Sequence, residues 1–171
     1  ANTETLQLGV TGLDDDYTFT LSNVSGDASL TTLNITGDSN FTLTDHASDN
    51  SKLATIDAST FTNDLTFSDS VGSLAQTLTT GTGNDTWSMS AGTLTEDDVI
   101  DLAGNTALAD GTAGKDTVAH TGNLGSAVDD SVLQIKNVET INLTATGGEA
   151  GAIATYIDAS KMSGNGTIAF A

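Results

Sequence analysis

In the stretch Gly81-Thr82-Gly83-Asn84-Asp85-Thr86-Trp87-Ser88, two glycines and an aspartate stand just ahead of a large apolar residue. Glycine allows backbone conformations that expose carbonyl oxygens, and the short carboxylate of Asp85 is a hard anionic ligand. Oxygen-coordinated divalent cations need that combination. A second copy, GTAGKDTVA from Gly111 to Ala119, sets Gly114 and Asp116 in the same relation to Val118, and DDVIDLAGN between them adds Asp98 and Asp101. Gly81, Gly83, Asp85, Asp98, Asp101, Gly114 and Asp116 are therefore the candidate metal ligands, supplying one or more calcium shells of about six to eight oxygens. Each has a plainer reading beside it. Asp85 and Asp116 suit an Asx turn or hairpin loop before a strand, and Asp98 and Asp101 suit a solvated face or a helix N-terminus.

Other chemistries find less support. His46 and His120 are far apart in sequence and there is no Cys, which disfavours a transition-metal site and excludes disulfides. A lyase would want an Arg or Lys base, and the chain has only Lys52, Lys115, Lys136 and Lys161 and no Arg. Carboxylates are plentiful, yet no pair stands out for glycoside hydrolysis. Trp87, directly after the aspartate turn, is expected in the core rather than stacked on a sugar. The expectation is a protein that is not an enzyme.

The 171 residues carry 23 acidic groups against four Lys, for a formal charge of −19 and a pI near 4.1. Such a field repels phosphate backbones and anionic lipid, so nucleic acid is not an expected partner and divalent cations are the natural counterions. No apolar run approaches the roughly 18 residues of a membrane helix.

These ligands need a frame, and the commonest pattern in the chain is period-two alternation of apolar residues with Thr, Ser and Asn. It runs through Leu6, Leu8 and Val10; Tyr17, Phe19 and Leu21; Leu33 and Ile35; Phe41 and Leu43; Leu65 and Phe67; Trp87 and Met89; Ile141 and Leu143; Ile168 and Phe170. Period two over a few residues means half-buried strands. LTTLNITGDSNFTLT and LATIDASTFTNDLTFS share a plan of two short strands around a polar corner and begin 23 residues apart, at Leu30 and Leu53. TLNIT at Thr32 returns as TINLT at Thr140, and IDAST at Ile56 returns as IDASK at Ile157. Units too small to bury a core alone stack, so the fold expected is an all-β, elongated parallel β-solenoid-like stack of irregular rungs. A β-sandwich is the alternative. Residues 93–110 and 122–136 break the pattern and suit either short helical turns or loops leading to strands at 99–102 and 132–135.

The two glycine-aspartate copies resemble the nonapeptide G-G-x-G-x-D-x-U-x of the repeats-in-toxin proteins, with Gly81, Gly83, Asp85 and Trp87 at four of its positions and Gly111, Gly114, Asp116 and Val118 at four in the second copy. Thr112 stands where the second glycine would be, and the two aspartates are not in tandem repeats, so a regular β-roll is not expected. The order of motifs along most of the chain is similar to the irregular strand arrays of calcium-dependent bacterial surface-layer (S-layer) proteins and large adhesins of that group. The resemblance implies one all-β domain over residues 1–171, an excerpt of a larger exported repeat protein, secreted to the cell surface and ordered by calcium. Its implied partners are other copies or domains of the same surface protein, with cell-surface polysaccharide as a further one and no membrane insertion. Its implied function is self-assembly into an extracellular lattice, the alternative being an adhesin module for carbohydrate or ice.

Overall fold

The computed structural model describes residues 4–12, 16–21, 30–45, 52–69, 75–89, 98–103, 116–121, 134–144 and 167–170. Along them run β1 (Thr5–Val10), β2 (Tyr17–Leu21), β3 (Thr32–Gly37), β4 (Phe41–Asp45), β5 (Thr55–Asp57), β6 (Leu65–Asp69), β7 (Thr77–Thr79), β8 (Thr86–Met89), β9 (Val99–Asp101), β10 (Thr117–Thr121), β11 (Gln134–Lys136), β12 (Thr140–Thr144) and β13 (Thr167–Phe170). There is no helix among the described residues. In residues 93–110 and 122–136 the described regular structure is β9 and β11, and the flanking segments lie outside the described residues.

The odd strands up to β11 form a six-stranded sheet, the odd sheet, in the order β1-β3-β5-β7-β9-β11, and the even strands together with β13 form a seven-stranded sheet, the even sheet, in the order β2-β4-β6-β8-β10-β12-β13. Every pairing is parallel. Each coil thus gives one strand to each sheet before climbing one strand spacing, about 4.8 Å. This is the β-solenoid expected from the repeats and not the β-sandwich, whose sheets are antiparallel.

In-register stacking converts the alternation into columns. Inward positions of the odd sheet stack Leu33, Ile56, Leu78 and Ile100, and those of the even sheet stack Leu43, Phe67, Trp87, Val118 and Ile141, all essentially fully buried. The two sets belong to one hydrophobic cluster. Outward positions of the even sheet stack Thr18, Thr42, Thr66, Thr86, Thr117 and Thr140 at one register position. β-Branched threonine suits such an open pleated face.

The corners stack as well as the strands. Thr62 N–H donates to Gly37 O and Thr82 N–H to Phe61 O, so the backbone ladder continues around the bend. At the amino end the column is open: Tyr17 and Phe19 are 42% and 41% exposed, whereas Phe41 and Leu43, next in register, are 5% and 0% exposed.

Candidate metal centre

Parallel stacking leaves a problem at the start of each strand, where the backbone N–H of its first residue or of the residue just ahead needs an acceptor. In the later coils an acidic side chain supplies it. Asp85, one residue before β8, accepts the Leu65 N–H at 2.9 Å through Oδ1. Asp116, one residue before β10, accepts the Asp85 N–H at 2.7 Å, and Glu139, one residue before β12, accepts the Asp116 N–H at 2.9 Å. Asp98 does the same in the other sheet, taking the Gln76 N–H at 2.7 Å ahead of β9. In each case the donor is the equivalent residue of the preceding coil.

The result is an uninterrupted acid column, Asp85-Asp116-Glu139, at one strand spacing per step. Asp85 and Asp116 are 1% and 0% exposed, and Oδ2 of each is buried with no hydrogen-bond partner. Burial raises the Asp85 pKa; the nearby Thr80 hydroxyl, which closes no hydrogen bond, and the Leu65 N–H act the other way, and the Asp64 charge adds to the rise. Burial likewise pushes Asp116 up to about 7 against the pull of the Asp85 N–H, with the charges of Asp85, Glu139 and Asp64 contributing. The neighbouring column solves the same crowding differently. There Asp16, Asn40, Asp64 and Asn84 alternate acid with amide, Asn40 Nδ2 donating to Asp16 at 2.9 Å and the Asn84 N–H to Asp64 at 2.7 Å.

The sequence-predicted ligands therefore divide. Asp85 and Asp116, 31 residues apart in sequence, are brought onto adjacent coils. Asp98 and Asp101 flank and end β9 in the opposite sheet, Asp101 accepting from Asn137 Nδ2 at 2.6 Å. The described structure does not bring them together with Asp85 and Asp116. Gly81 and Gly83 are needed for space: a Cβ on Gly81 would collide with the Phe61 carbonyl oxygen, and Gly83, at φ 139°, would strike Asn63. Gly114 lies outside the described residues. Among the described residues no three acidic or imidazole groups converge tightly enough to hold a metal ion.

A cation fits this chemistry in one respect. Asp85 and Asp116 offer two buried oxygens that close no hydrogen bond, each beside like charge. Those two carboxylates are the part of a cation shell that the described residues could supply. Sequence reasoning overlooked Glu139 and Asp64, though the signal for Glu139 was legible: Asp85-Thr86, Asp98-Val99, Asp116-Thr117 and Glu139-Thr140 are all an acid followed by the β-branched first residue of a strand.

Compared with known protein families, known proteins and solved structures, the chain matches none.

Proposed function

We propose that this chain is a non-enzymatic structural domain of a calcium-ordered bacterial S-layer or cell-surface protein, working outside the cell and assembling with other copies or domains of that protein. The observation that carries the calcium part is the pair of buried oxygens on Asp85 and Asp116 that close no hydrogen bond, in a column with no compensating cation among its described neighbours. Asp85 and Asp116 would hold the ion, and positive charge is what it would supply, with the rest of its oxygens drawn from backbone or water. The assembly part is supported by the order of motifs in the sequence and by an elongated stack whose sides repeat from coil to coil.

Thermal melts with calcium and with chelator test this reading. Calcium at about a hundred times its dissociation constant is expected to add roughly 2.7 kcal/mol if only the folded chain binds it. Asp85→Asn with Asp116→Asn is expected to remove that response. Equal melting temperatures of the parent in both conditions would withdraw calcium from the proposal, and failure of the longer parent chain to self-associate in calcium would withdraw the lattice.

A further inference from the structure

At the other end of the even sheet, ahead of β2, β4 and β6, lies a groove of about 200 Å³ lined by Asp16, Asn40, Phe41, Thr42, Asp64 and Thr66. It is smaller than the roughly 300–1,000 Å³ of pockets for drug-sized ligands, which suits a single ring. Its chemistry narrows the ligand further. Among the described residues no Lys or Arg lines it, so an anion would meet two carboxylates with no described cation to offset them. One cation cannot use both acids: Asp16 and Asp64 are two coils apart, about 9.6 Å at the usual strand spacing. Oxygens of one calcium shell lie only about 2.3–2.6 Å from the ion. Each carboxylate is moreover held by the amide of the following coil, Asp16 by Asn40 and Asp64 by Asn84.

The remaining match is an uncharged ligand rich in hydroxyl groups. Carboxylates accept from O–H groups, threonine hydroxyls both donate and accept, and the Asn40 amide does the same. Beyond the groove, Thr42 and Thr66 belong to the outward threonine column that continues through Thr86, Thr117 and Thr140. The parallel outward column, Thr20, Thr44, Ser68, Ser88, Ala119 and Asn142, is also uncharged. In a chain of formal charge −19, that leaves a neutral track along the stack axis. β-Propensity accounts for threonine on an open face, but it does not account for two acids and an amide around a groove at the head of that face.

We propose that this groove is the anchoring site for a neutral glycan whose chain runs along the threonine column. The groove includes neither Asp85 nor Asp116, so its reading does not require calcium, although Asp64 borders both sites.

The test is binding of the full chain, in chelator and in calcium, to neutral and uronic-acid oligosaccharides of graded length. Neutral oligosaccharides are expected to bind in both conditions and uronic acids in neither. Asp16→Ala and Thr66→Tyr are each expected to weaken binding at least tenfold with the melting temperature nearly unchanged. Thr140→Tyr, far along the column, is expected to weaken long oligosaccharides and leave short ones unaffected. Absence of neutral-glycan binding, or binding indifferent to both Asp16→Ala and Thr66→Tyr, would overturn the proposal. So would adsorption of the chain to growing ice without glycan binding, which would make the face a reader of ordered water.

Discussion

Asp116 ties pH to stability with a sign opposite to that of an ordinary surface acid. Its folded-state pKa, pushed to about 7 chiefly by burial, lies above the unfolded value near 3.8, so the folded chain holds this proton more tightly. Its contribution favours folding fully below the unfolded value and fades as pH rises through about 7. In chelator, the parent is therefore expected to gain stability as pH falls from about 7 toward 4, a slope that Asp116→Asn flattens. Denaturant midpoints across that range check it, and a parent that only loses stability on acidification would contradict it. Asp57 runs the other way: its side chain takes bonds from Ser59 that hold its pKa down, so its contribution is present above the unfolded value and lost as pH falls through the folded one. Gly81 tests the meaning of the glycines. With the Phe61 carbonyl where a Cβ would sit, Gly81→Ala is expected to lower the melting temperature in chelator as well as in calcium. An effect confined to calcium would make Gly81 a ligand turn instead.

Elements explain which parts of the fold were readable. Strands with two or three alternating apolar residues announced themselves, as in Leu33 and Ile35 of β3 or Trp87 and Met89 of β8. β7 has one, Leu78, and one residue has no period. The repeat of TLNIT as TINLT was real as a strand pattern but crosses sheets: Thr32–Gly37 is in the odd sheet and Thr140–Thr144 in the even one. Period two records which side chains face inward and carries no label for the sheet, because both sheets face the same core. The placement of the candidate ligands was half legible for a related reason. An acid before a strand looks the same in either sheet, so Asp98 was grouped with Asp85 and Asp116 although stacking sends it elsewhere. At this scale Trp87, at 0% exposure between Phe67 and Val118, is the largest single filler of the even-sheet column. Trp87→Ala is expected to cost about 3–5 kcal/mol by chemical denaturation, the range for deleting a buried aromatic side chain. A loss below about 1 kcal/mol would mean the column does not depend on it.

For the whole molecule, the register connects each coil to its immediate neighbours and to little else, so stability is close to a sum of coil and interface terms. The capping acids give that sum a direction. Leu65, Asp85 and Asp116 each offer an N–H that is satisfied by a side chain arriving with the following coil, 20, 31 and 23 residues later. A chain emerging from the ribosome amino end first therefore holds its newest coil unfinished until the next has been made. Completion travels toward the carboxyl terminus one coil at a time, and a chain halted partway ends on a coil whose amides still await their acceptor.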